Sequence, residues 1–126
     1  MKKLKLYAIQ ESFEPIDKAG ILGQIEGRLN TYLTLEECMA AFATRVDELK
    51  EQIIDSFDSG SISTYRDIEE CACTRDEETC FWCYFDPEDG YLEQIRDGYA
   101  EINCEITEIE VLLDEAETVW KFDKYK

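Results

Sequence analysis

TLEECMAAFATRVDELKEQIIDSF, Thr34 to Phe57, is the stretch that decides the fold. Leu35, Met39, Phe42, Val46, Leu49, Ile53 and Phe57 recur at steps of three and four, which lays one apolar stripe along a helix. Thr34 with Glu37 is a capping-box pair, whose hydroxyl and carboxylate satisfy free amides at a helix start. The spacing predicts a helix from Leu35 to Phe57, about six turns long, ended by Asp58-Ser59-Gly60. A stripe of this kind needs an apolar partner, and the flanking sequence supplies a sheet.

Upstream, Lys3 to Gln10 predicts a first strand, Glu11 to Gly23 a connection containing Pro15, and Gln24 to Leu33 a second strand bent at Gly27. Downstream, Ser61 to Cys73 and Cys80 to Phe85 are rich in Ile, Tyr, Thr, Trp and Phe and flank Thr74 to Thr79, which predicts an antiparallel hairpin with an acidic tip. Asp86 to Gly90 has turn composition, with a helical turn over Pro87 to Ala100 as the alternative. Tyr91 to Ile95 and Tyr99 to Leu112 predict two more strands across Arg96-Asp97-Gly98. In the last of these, Ala100, Ile102, Cys104 and Ile106 alternate with Glu101, Asn103 and Glu105, so one face is core and the other acidic. Ile109 and Val111 fall on the opposite parity, which predicts a bulge near Thr107. Val119 to Phe122 suits an edge strand. The expected fold is therefore α+β in a single domain over residues 1–126: an antiparallel sheet of about five strands with one long helix packed across a face.

Charge narrows the function. The 126 residues hold 13 Lys and Arg against 30 Asp and Glu, a net of −17 with no His. Residues 1–60 carry a net of −4 and residues 61–126 a net of −13. Solubility alone asks for roughly 2 to 8 units on a small domain, so the excess points to a positively charged partner and away from direct binding to nucleic acid or an anionic membrane. Hydrophobic residues make up 44% of the chain, enough for a core. No run approaches the roughly 18 apolar residues of a membrane span, and MKKLKLYAIQ lacks the apolar stretch of a signal peptide, so the expected location is the cytoplasm.

Enzymatic motifs are missing. Without His there is no Ser-His or Cys-His pair, and neither a glycine-rich phosphate loop nor a calcium-hand order of acids occurs. Cys71, Cys73, Cys80 and Cys83 follow C-x-C-x6-C-x2-C, a spacing able to hold a tetrahedral zinc, although the interval between the pairs is short for a zinc ribbon. The plainer expectation is no cofactor, with reduced cysteines serving as small strand residues and Cys38 and Cys104 buried. A zinc-binding structural or adaptor module is the alternative.

The partner-binding surface is expected at Glu69, Glu70, Asp76, Glu77, Glu78, Asp86, Glu88 and Asp89, where carboxylates crowd together, with Trp82 and Tyr84 as aromatic anchors. An N-terminal strand, the strand-to-helix entry YLTLEECMAAF and the carboxylate-rich second half together resemble the small acidic proteins with which phages and mobile elements block host defence, among them DNA-mimicking anti-CRISPR proteins. The resemblance implies a non-enzymatic inhibitor of a nucleic-acid-guided nuclease, acting in a host bacterial cytoplasm by occupying the site that reads the short DNA motif beside the target.

Overall fold

The computed structural model describes residues 2–16, 26–57, 62–96 and 98–113. Residues 17–23 of the expected connection, the expected stop signal Asp58-Ser59-Gly60 and the expected edge strand Val119 to Phe122 lie outside the described residues, whereas the helix expected to reach Phe57 ends at Asp55, with Ser56 as its cap and Phe57 bridged to Ile95.

Among the described residues, five antiparallel strands form one sheet: β1 (Lys2–Pro15), β2 (Glu26–Tyr32), β3 (Cys73–Asp76), β4 (Cys80–Tyr84) and β5 (Tyr99–Leu113), in the spatial order β2-β1-β5-β4-β3. Two α-helices accompany it among the described residues, α1 (Leu35–Asp55) and α2 (Tyr65–Cys71). The expectation of a single helix is thereby corrected. Tyr65 to Cys71, expected within a strand, is helical because Thr64 and Asp67 form a reciprocal capping box, and Ile68 and Cys71, three residues apart, bury together on one side. Only Cys73 to Asp76 remains as the first arm of the hairpin.

α1 opens at Thr34, whose Oγ1 accepts from the Glu37 amide at 3.2 Å, the hydroxyl half of the expected capping box. Its buried stripe is Cys38, Phe42, Val46, Leu49 and Ile53. Leu35, counted in the expected stripe, is 43% exposed, and Cys38 takes the first inward position. The stripe meets Ile9 and Phe13 of β1, Ile102 and Cys104 of β5 and Phe81 and Cys83 of β4, all at most 4% exposed and members of one buried cluster. Phe57 and Phe85 close the far end edge-to-face, with ring centroids 5.5 Å apart.

Three strand expectations change. β1 runs through to Pro15, because Glu11 continues the inward parity of Ile9 and Phe13 despite its charge. Tyr91 to Gln94 is a 3-10 turn following a second over Pro87 to Asp89, with Gly90 between them at φ 80°. β5 therefore pairs with β1 and β4 rather than with a neighbouring hairpin arm. Gly98 serves packing there: a Cβ on it would lie 2.6 Å from Ile95 Cγ2 and 2.8 Å from Ser56 Cβ. The expected bulge at Thr107 is likewise absent. β1 and β5 keep one register from Lys2 opposite Leu113 to Glu14 opposite Glu101, slipping only at Pro15. The changed parity has a different meaning: beyond Thr107 the apolar residues turn to the face away from α1, where Ile109 opposes Leu6 and Val111 opposes Leu4. On the α1 side of that segment stand ion pairs instead, Lys5–Glu108 at 3.3 Å and Lys3–Glu110 at 3.5 Å.

Candidate functional site

The sheet face away from α1 carries the densest chemistry. Pairing register sets Glu14 of β1, Glu101 of β5 and Tyr84 of β4 in one row, with Ser12, Asn103 and Trp82 in the next. Glu14 and Glu101 are directly opposite partners, an arrangement that puts like charges about 5 Å apart at Cβ and destabilises a sheet. Beside them Trp82 and Tyr84 stack with centroids 6.0 Å apart and planes within 8° of parallel, as residues two apart on one strand face can. Trp82 Nε1 donates to Glu101 Oε2 at 3.0 Å, fixing the indole against the carboxylate. Burial, with the negative charges of Asp86, Glu101 and Glu14, raises the Tyr84 hydroxyl above its usual pKa. Asp86 is the 3-10 cap next to Tyr84 and accepts from the Glu88 amide at 2.9 Å.

Three residues expected at a partner surface, Trp82, Tyr84 and Asp86, therefore converge, and the structure adds Glu14 and Glu101 to them. Glu101 sits in the acidic alternation read from the sequence. Glu14 was hidden by Pro15, which reads as loop punctuation, although Gln10, Ser12 and Glu14 continue the outward parity of the strand.

The other expected acids lie elsewhere. Glu69 and Glu70 are exposed on α2, and Glu88 and Asp89 are exposed in the first 3-10 turn. Asp76, Glu77 and Glu78 form the hairpin tip on the α1 side, lining a shallow cavity of about 190 Å³ with Asp47 and Lys50. There Lys50 pairs with Asp76, while Arg75, opposite Trp82 on the other face of the sheet, reaches Glu77 through Nε at 3.0 Å, so the chain's own cations already engage two of the three tip acids.

Comparison with protein-family models, curated proteins and solved structures finds no match.

The four hairpin cysteines do not converge on a metal position. Cys71 and Cys83 are buried in the core, Cys73 is exposed and Cys80 half-buried on strand positions facing the other way, and all four are free thiols. Among the described residues no group of three or more Cys, Asp or Glu is placed to hold a metal ion. Burial pushes the Cys83 thiol up to about 12.

A second polar feature lies under α1. Glu11 is 2% exposed and accepts from Arg45 Nε at 2.7 Å, while Arg45 Nη1 reaches Glu48 at 3.5 Å. This pair floors a groove of about 440 Å³ between α1 and β2. Among the described residues no helix is long and apolar enough to cross a membrane.

Proposed function

We propose that this chain is a non-enzymatic binding protein whose acidic sheet face occupies the cationic nucleic-acid groove of a host defence protein, with a CRISPR-associated nuclease as the first target to test. The observation that supports this reading above others is the Glu14–Glu101 pair beside the Trp82–Tyr84 stack. Directly opposed carboxylates cost stability in the free protein, and a cation brought by a partner relieves that cost. An arginine laid on the Trp82 or Tyr84 ring gains the ring's negative face, and its planar fork meets the carboxylates at the rim. Duplex DNA presents about one charge per 1.7 Å of axis, and the two carboxylates of Glu14 and Glu101, on strands about 4.8 Å apart, offer a groove of lysines and arginines a short, sparser patch of the same sign. Bound there, the protein excludes nucleic acid by competition.

The test titrates the purified protein against a guide-loaded nuclease and follows displacement of labelled target DNA at low and high salt. Displacement that weakens with salt, and weakens further in Glu14→Gln with Glu101→Gln, is the expected result. Displacement indifferent to both rejects the acidic face as the grip.

A further inference from the structure

On the α1 side of β2, Arg28, Asn30 and Tyr32 follow one another at steps of two, and the register sets them directly opposite Glu11, Ile9 and Tyr7 of β1. Together with α1 they line the groove of about 440 Å³, a volume within the roughly 300 to 1,000 Å³ of small-molecule sites. Its floor is a built one. Glu11 is the sole buried charged side chain among the described residues, and its carboxylate accepts from Arg45 Nε at 2.7 Å. That bond fixes the Arg45 guanidinium at the groove wall, where the side chain keeps 22% of its surface exposed.

We propose that this groove binds a small organic anion, whose carboxylate or phosphate group is held between Arg28 and Arg45. Charge selects an anion. Glu11 is engaged by Arg45, and Glu48 stands 59% exposed at the rim, where water screens it. Arg28 lies directly opposite Glu11, yet among the described residues it pairs with no carboxylate and instead sits over the Phe13 ring, 6.0 Å from its centroid. The cation left facing the groove is therefore Arg28, with the outer edge of Arg45 across from it. Shape agrees with charge. Two planar guanidinium forks, one from a strand and one from a helix, suit the oxygens of one carboxylate or phosphate. Further along β2, Asn30 and Tyr32 add an uncharged amide and a hydroxyl beside Ile9, which suits the body of an organic molecule rather than a second charge. The chain's acidity does not forbid this site. β2 and β3 are opposite edges of the described sheet, four strand steps apart. At about 4.8 Å per step the hairpin acids lie roughly 19 Å away, more than two Debye lengths of about 8 Å. The groove opens on the α1 side, so it does not depend on the role proposed for the Trp82–Tyr84 face.

Nuclear magnetic resonance titration of the isotope-labelled chain with inorganic phosphate, and separately with acetate, each against chloride at equal ionic strength, tests this. Saturable shifts confined to Arg28, Asn30, Tyr32, Thr44 and Arg45 are the expected result with at least one probe. Saturation by phosphate alone identifies a phosphate ligand, and saturation by acetate alone a carboxylate. Arg28→Gln removes a charge-assisted fork and should weaken that binding by roughly tenfold or more. Its circular dichroism should not change, because Arg28 is exposed. Arg66→Gln makes the same change of net charge at an exposed position of α2 and should leave the affinity unaltered. Shifts that stay linear with both probes, or that chloride reproduces, overturn the inference. So does binding that Arg28→Gln leaves intact, or that Arg66→Gln weakens as much.

Discussion

Glu14 on β1 and Glu101 on β5 face each other directly across the sheet, and Trp82 donates to one of the two. Electrostatic repulsion between them is present in the folded chain and largely absent in the unfolded one. Glu14→Gln removes it while leaving the Trp82–Glu101 hydrogen bond in place. The urea midpoint should rise, by a stabilisation of about 0.2 to 1 kcal/mol, and binding to a cationic partner should fall. A midpoint that drops would mean that the Glu14 carboxylate supports the fold rather than opposing it.

Glu11 and Arg45 make the opposite case, since each holds a charge that the other needs. The Glu11 side chain is 1% exposed and that of Arg45 is 22% exposed, so truncating Arg45 leaves a carboxylate in the core with little water to receive it. Arg45→Met should cost about 3 kcal/mol in chemical denaturation. Glu11→Leu with Arg45→Met should recover most of that loss, because an apolar pair of similar volume carries no desolvation cost. If the double variant is as unstable as the single one, packing by the arginine stem, rather than the charge, is what β1 requires.

Sequence periodicity revealed α1 because its stripe and its cap agree. It revealed the two faces of β5 for the same reason: hydrophobic alternation reports burial directly. Where it misled, either tertiary pairing overrode a local pattern or one local signal overrode another. Glu11 breaks the alternation of β1 because its partner, Arg45, is 34 positions away. Tyr65 to Cys71 has strand-like composition, yet a box made with Asp rather than Glu starts a helix there. Asp97-Gly98 looks like a hairpin turn, whereas Gly98 is needed because Ser56 and Ile95 come too close for a side chain. The Trp82–Tyr84–Glu101 part of the candidate face was visible as types on alternating strands, but its junction with Glu14 depends on β1 pairing with β5, which no local pattern encodes.

Thiol reactivity separates the six cysteines by face. Cys73 is exposed and Cys80 half-buried, while Cys38, Cys71, Cys83 and Cys104 are buried. Native protein treated with a thiol reagent at mildly alkaline pH should label Cys73 first and Cys80 more slowly, with the other four reacting only after denaturant is added. Mass spectrometry of the labelled peptides reads this directly. Rapid labelling of Cys71 or Cys83 would show that α2 does not hold the hairpin base closed.

The same burial sets an alkaline limit. Burial raises the Cys83 thiol from 9.0 to about 12, and burial together with the Glu11 charge raises Cys104 to about 12. A raised thiol stays protonated in the folded chain where the unfolded chain has already ionised. Its contribution to stability is therefore whole below pH 9 and is lost progressively as pH climbs toward 12. The urea midpoint should fall across that window, and Cys83→Ala with Cys104→Ala should flatten the fall even though the cavities lower the midpoint overall. An unchanged slope in the double variant would assign alkaline loss to other groups.

Acid acts at a different element. Backbone amides of Ser63 and Thr64 donate to the Asp67 carboxylate at 3.0 Å each, and these bonds hold its pKa below the ordinary 3.8. A lowered carboxylate stabilises the fold fully above its unfolded pKa and loses that contribution as pH falls through the lower, folded value. The capping box of α2 should therefore open only below about pH 3.8, as a local loss of amide protection over Tyr65 to Cys71. Asp67→Asn keeps an acceptor without the charge, so it should weaken α2 already at neutral pH and remove its dependence on acid. Hydrogen exchange followed residue by residue decides the point: if α2 in the Asn variant still loosens at the same pH as the parent chain, the cap is not the group that titrates.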